Sequence, residues 1–345
     1  MRPLRPTKSL PMSASQEASV LNSPHASPPA VRTRAIRRPQ PPEPRIVPLR
    51  RPARWLAAGV VLLAFLAVVN SLARNPAFQW DVVWRYFTAP AVLNGLYLTL
   101  WLTAVTMVLG FGLGTVLAVM RVSQNPVLQG LSWGYVWIFR STPLLVQLLF
   151  WFNIGALYPR LSLGVPFGPE LVSVNTVNLI GATAAAVIGL TLHEAAYAAE
   201  IVRGGLLSVD SGQIEAAHAL GLSKGRILRR IILPQAMRAI IPPAGNLLIG
   251  TLKGTSIVSV IAVQDLLYSV QLIYNRNYLV IPLLLVATIW YVLVTSVLTV
   301  GQYYVERYYA RGSARQLPPT PPQRFRAWAR TWYLRLRRHT VEGRA

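Results

Sequence analysis

The chain has 345 residues, of which 53% are hydrophobic and only 13% are charged. A soluble globular protein carries roughly a quarter of its residues as charges, so this balance excludes that class and points to a membrane. With no cysteine and four scattered histidines, disulfides and thiolate metal sites are excluded, and neither a metal centre nor a cofactor is expected.

The formal charge of +23 invites a nucleic-acid reading, but the basic residues sit at the two ends of the chain. Residues 1–54 carry 11 Arg and Lys against Glu17 and Glu43, and residues 307–345 carry 10 Arg against Glu342. Both blocks flank apolar runs, where basic residues mark the cytoplasmic side of a membrane protein. Neither holds a nucleic-acid reading motif, so no nucleic acid is expected as a partner.

In chain order, residues 1–54 are rich in Pro, Arg and Ser without an apolar period, which predicts a disordered basic tail. The run 55–73 is long enough to cross a bilayer. Ser71-Leu72-Ala73 has the pattern of a signal cleavage site, yet the preamble is too long and the apolar run exceeds the usual 7–15 residues, roughly. A retained extra helix is therefore expected. Five further spans follow at about 93–120, 135–157, 179–201, 244–263 and 279–300. Six spans put both termini on one side. The loop 203–238 carries Arg203, Lys224, Arg226, Arg229, Arg230 and Arg238. The opposite segments carry Arg74, Arg85, Arg160 and Arg276, offset by Asp81, Glu170 and Asp265. That asymmetry predicts cytoplasmic termini. No strong internal repeat is visible, which counts against transporters built from inverted halves. The tail 309–345 begins Pro-rich and turns basic and aromatic, suited to an anionic membrane surface.

Asp210 or Ser211 is placed to cap a helix over "QIEAAHAL", with Gln213 in capping-box position. Gly221 suits the left-handed residue after its end. Ser223 is placed to cap "KGRILRRIIL", which Pro234 is expected to stop. Two short helices at a sharp angle make a protrusion, slim at Ala216, Ala217 and Ala219. On these grounds alone, docking to a partner and resting on the membrane surface both stand.

The spacing Glu215-Ala216-Ala217, then Gly221, Ile231 and Leu233-Pro234 resembles the EAA loop of ABC-importer permeases at all seven positions. Three more stretches, "FRSTPLLVQLLFW" at 139–151, "HEAAYAAEIVRGGLLSV" at 193–209 and "LPQAMRAIIPPAGNLLIGTLKGTSIVSVI" at 233–261, are similar to the polar amino acid permeases of type I ABC importers. The similarity covers residues 91–308. It implies an all-α membrane protein with a type I permease core of five helices, to which the helix at 55–73 is added in front. The resemblance also implies a transmembrane subunit of an ATP-driven amino acid importer in the bacterial inner membrane. Its partners would be a separate ATP-binding-cassette ATPase gripped through the loop, a second permease subunit, identical or not, and an extracytoplasmic solute-binding protein. The chain itself would not be an enzyme, and it has no phosphate-binding G-x-x-x-x-G-K-[ST] motif. Phosphonate, betaine or methionine as cargo, or an ion-driven secondary transporter, are the alternatives.

Four polar residues within the apolar spans are candidates for the translocation pathway: Lys253, Thr255, Ser256 and Glu194. A lysine at mid-membrane depth costs about 2.5–3.5 kcal/mol on insertion scales. It therefore either faces a wet path and a substrate carboxylate, snorkels, or pairs with a neighbouring acid such as Glu194. Glu200 lies one turn from Arg203, and a local ion pair is its simplest account.

Overall fold

The computed structural model describes residues 52–164, 170–309 and 326–330. The expected disordered tail before residue 52 and most of the tail beyond 309 lie outside the described residues. The chain divides into two units, residues 1–63 and 64–345. Helix α1 (Pro52–Arg74) begins in the first. Its large apolar side chains from Leu56 to Leu72 are exposed, the pattern of a helix solvated by lipid rather than water.

Among its described residues the second unit is helical apart from one hairpin. Helix α2 (Trp80–Phe87) leads into α3 (Pro90–Val122), and α4 (Pro126–Ser141) and α5 (Leu144–Phe152) follow. Proline at the first helical turn starts both α3 and α4, where its missing N–H would have had no partner anyway. The Asn125 side chain caps α4 by accepting from the Val127 amide at 2.9 Å. A one-turn α6 (Ile154–Leu157) precedes the antiparallel strands β1 (Arg160–Gly164) and β2 (Glu170–Asn175), paired with Arg160 opposite Asn175. After α7 (Thr176–Leu179) comes α8 (Ala182–Leu207).

The span expected at 135–157 is broken. Helices α4 and α5 meet at Thr142-Pro143 with a bend of 101°. Pro143 disfavours helical backbone at the residue before it, and Thr142 is indeed extended, with ψ 130°. The pair still returns the chain across the bundle. Helices α3 and α8 run parallel, since Gly110 lies beside Glu194 and Gly114 beside Ala198, so one return crossing must separate them.

Those two glycines set how close α3 and α8 come. A Cβ on Gly114 would lie 2.7 Å from the Ala198 Cβ and 2.9 Å from the Ala195 carbonyl oxygen. In lipid, such small-residue contacts supply the packing that hydrophobicity cannot. Leu102, Leu148, Leu190 and Val258 form one core cluster. A second gathers Val83, Val92, Leu266, Val270, Leu283 and Val286.

Beyond the loop, α9 (Ser211–Ala219), α10 (Lys224–Ile227), α11 (Leu233–Gly254), α12 (Leu266–Asn277) and α13 (Val280–Tyr309) complete the unit. Here the structure corrects the reading of Pro234 as a stop. The chain passes from α10 through a π-turn at Leu228–Ile232 directly into α11, with Pro234 in its first turn. A proline ring collides with the carbonyl four residues back, and the wider π-turn is a known way for a helix to absorb such a misfit. The continuous span therefore runs from Lys224 to Ile261, longer than the expected 244–263, and its end tightens into a 3₁₀ segment at Thr255–Ile261. Among the described residues, five helices are long and apolar enough to cross a membrane, or six with the bent pair counted as one span.

Candidate functional site

The loop after α8 is built from strong local signals. Asp210 caps α9, its carboxylate accepting from the Gln213 amide at 3.3 Å. At the other end Gly221 takes φ 73°. The Leu222 amide donates to the Ala217 carbonyl at 3.1 Å and the Gly221 amide to the His218 carbonyl at 2.9 Å. These are the 6→1 and 5→2 bonds of a Schellman motif, which pins the direction in which the chain leaves α9.

The face of α9 is thereby fixed. Ala217 is buried, and Ile214 packs against the cluster of Val209, Ala236 and Ile240. Glu215 and Ala216 are exposed, and so is Leu220 at 80%. A short helix anchored on one side thus presents a carboxylate, small residues and an apolar leucine on the other. Of the later motif positions, Ile231 is half-buried whereas Leu233 and Pro234 are exposed. The last two line a groove of about 440 Å³ with Met237, Arg238, Tyr308 and Tyr309. Ser223 holds the N-cap position of α10 without a side-chain bond.

One contact was not legible beforehand. Gln235 donates from Nε2 to the Gln213 Oε1 at 2.7 Å and to the Ile231 carbonyl at 3.1 Å. Gln213 therefore clamps α9 to α11 rather than closing a capping box. The two glutamines are 22 residues apart, and no local pattern links them.

The four membrane candidates do not form one cluster. Lys253 is exposed, and among the described residues no ion pair joins it to Glu194 or any other acid. Thr255 is buried and donates to the Leu252 carbonyl, while Ser256 donates to that of Lys253, both at 2.7 Å. Such back-bonding satisfies a hydroxyl within its own helix. Glu194 is only 7% exposed, packed beside Gly110 of α3, and its Oε2 has no hydrogen-bond partner among the described residues. Glu200 pairs with Arg203 as expected, at 2.6 Å from Nη2 and 3.1 Å from Nε.

Other polar residues come together at the opposite end of the bundle. A cavity of about 660 Å³ between α3 and α12 is lined by Tyr86, Asn94, Gln264, Ser269, Arg276 and Asn277. Beside it Asp265, read from the sequence only as one external charge, is fully buried. Its carboxylate caps α12, accepting from the Tyr268 amide at 2.9 Å and the Leu267 amide at 3.3 Å, and the Tyr291 hydroxyl donates to it at 3.5 Å. Asp265 lies in the connection between two spans, and burial pushes its carboxyl up to about 6 against the pull of those donors. The usable signal was an aspartate just before an apolar helical run.

Comparison with known proteins places the chain among transport permeases. The family described as "Binding-protein-dependent transport system inner membrane component" matches residues 110–311. The chain is 45% identical over 272 residues to the arginine transport system permease protein ArgU of Corynebacterium glutamicum, covering 78% of this chain and 84% of that protein. It is 34% identical over 244 residues to the L-cystine transport system permease protein TcyB of Bacillus subtilis, covering 70% and 96%. Among solved structures it is similar to an amino acid ABC transporter crystallised with histidines, at 33% identity and a TM-score of 0.54 over 64% of this chain and 94% of that one. A methionine ABC transporter structure, MetNI, matches at 22% identity and a TM-score of 0.50 over 64% and 97%, which is a likeness of fold.

Proposed function

Because the chain belongs to the family of binding-protein-dependent transport system inner membrane components, we propose that it is the transmembrane subunit of an amino acid ABC importer. It forms the translocation pathway in the inner membrane and couples it to a separate ATPase through the loop of Glu215, Ala216, Ala217, Gly221, Ile231, Leu233 and Pro234. The observation that carries the coupling role is α9 itself. It is clamped to α11 by Gln213 and Gln235, ended by a Schellman motif at Gly221, and exposed along Glu215 and Ala216. A helix so held transmits a push on its outer face to α8 and α11 rather than dissipating it in loop motion.

Amino acids as cargo are supported by the arginine and cystine permeases and by the amino acid transporter structure named above. The charge asymmetry favours termini on the cytoplasmic side, where the ATPase would meet α9. A second copy or a related permease would complete the pathway, and a solute-binding protein would deliver cargo at the opposite face, where the cavity with Arg276 and Asn94 opens. Exposed Lys253 is placed to face that second subunit or the pathway between the two. The test is co-purification with the cognate ATPase and binding protein, then ATP hydrolysis in liposomes. Amino acids carried on the binding protein should stimulate hydrolysis. A chain that transports them without an ATPase, driven by an ion gradient, would overturn the proposal.

A further inference from the structure

At the loop-bearing end of the bundle, α3, α4 and α8 enclose a cavity of about 430 Å³ lined by Arg121, Trp133, Trp137, Arg140, Tyr197 and Glu200. The charge within it does not balance. The Glu200 carboxylate is already held by Arg203. Arg121 and Arg140, in the last turns of α3 and α4, have no ion-pair partner among the described residues. The Arg140 guanidinium lies over the Tyr197 ring, 5.2 Å from its centroid. That contact holds the cation in place without neutralising it.

The cavity's outer wall is aromatic and open. Trp133 and Trp137, one turn apart on α4, stack at 6.0 Å with an interplanar angle of 4°, and remain 54% and 60% exposed. The depth is set by α3. Its 33 residues extend about 50 Å, well beyond a hydrocarbon core of about 30 Å. Arg121, next to the last residue, therefore falls at headgroup level. Two unpaired guanidinium groups beside an exposed tryptophan pair at that depth match an anionic headgroup on one side and acyl chains on the other. We propose that this cavity binds the phosphate of an anionic phospholipid from the leaflet on the loop side. Arg121 and Arg140 bond the phosphate oxygens, and the acyl chains lie against Trp133 and Trp137.

The full-length chain, purified in detergent, is offered phosphatidylglycerol, phosphatidylcholine or inorganic phosphate, and retained ligand is read by native mass spectrometry. The expected result is one phosphatidylglycerol retained per chain in strong preference to phosphatidylcholine. Retention should fall about 5-fold in Arg121→Gln and about 30-fold in the Arg121→Gln, Arg140→Gln double variant. Arg160→Gln, on the hairpin and outside the cavity, should bind as the unchanged protein does. Arg121→Gln keeps the question open to refutation if the double variant fails to fold, because it alters one partly exposed helix end. Equal retention by the unchanged chain and Arg121→Gln overturns the proposal, as does retention of phosphatidylcholine equal to that of phosphatidylglycerol. Displacement of the lipid by an equal concentration of inorganic phosphate also overturns it, because the site would then belong to a free anion.

Discussion

Gly221 offers the sharpest test of the coupling loop, because its geometry isolates one cause. A Cβ added there meets no atom of the described residues within 4 Å, so steric contact contributes nothing to the cost of substitution. What remains is φ at 73°, which costs an L-residue about 1–2 kcal/mol, and more if it is β-branched. The alternative is to leave the left-handed region and surrender the two amide bonds of the Schellman motif, worth about 0.5–1.5 kcal/mol each. Either route shifts the population of correctly aimed loop by roughly 5–30-fold for alanine. Asparagine, which tolerates this region, should lose least and valine most. The rest of the fold should be unaffected, since α9 leans on one small cluster. The assay compares ATPase co-purification and reconstituted uptake for Gly221→Asn, Gly221→Ala and Gly221→Val at matched membrane levels. The reasoning fails if the valine variant transports normally, or if asparagine is as damaging as valine.

Gly114→Val should separate α3 from α8, because the new Cβ would lie 2.7 Å from that of Ala198. We expect a loss of about 1–3 kcal/mol or more, read as a lowered melting midpoint in detergent, whereas Gly112→Val, with nothing within 4 Å, should melt normally. Lys253→Met removes an exposed charge that has no ion-pair partner among the described residues. The variant should assemble and bind its ATPase while uptake falls, and unchanged uptake would take Lys253 out of the pathway. Asp265 supplies a pH test. An acid raised from 3.8 to about 6 on folding favours the folded state fully below pH 3.8, and that contribution is lost as pH climbs through 6. The melting midpoint of Asp265→Asn, relative to the unchanged chain, should therefore rise between pH 4.5 and 7.5, by the equivalent of about 2 kcal/mol. A constant difference across that range would contradict the burial argument.

Much of this protein is local, and what is local was legible in the sequence. A run of apolar residues must sit in lipid wherever it packs, so spans such as α3 and α13 are visible from composition. Caps act within a few residues, so Asp210 or Ser211 at one end and Gly221 at the other marked the limits of α9, and the structure chose Asp210. The EAA spacing was readable for the same reason, since one short helix and its turn hold its first four residues. Tertiary structure decided what depends on partners far along the chain. Pro234 reads as a terminator, yet a π-turn carried the helix through it because α11 must continue across the bundle. Gln213 looked like half of a capping box until Gln235, a full turn-and-helix away, took its side chain. For Lys253 the sequence left a wet pathway, snorkelling and pairing with an acid such as Glu194 open. Their fates follow from which helix faces meet: Gly110 lets α3 close over Glu194, while the face of α11 that carries Lys253 stays uncovered in a single chain. Helix orientation about its own axis is set by packing against neighbours, and no single stretch of sequence contains that information.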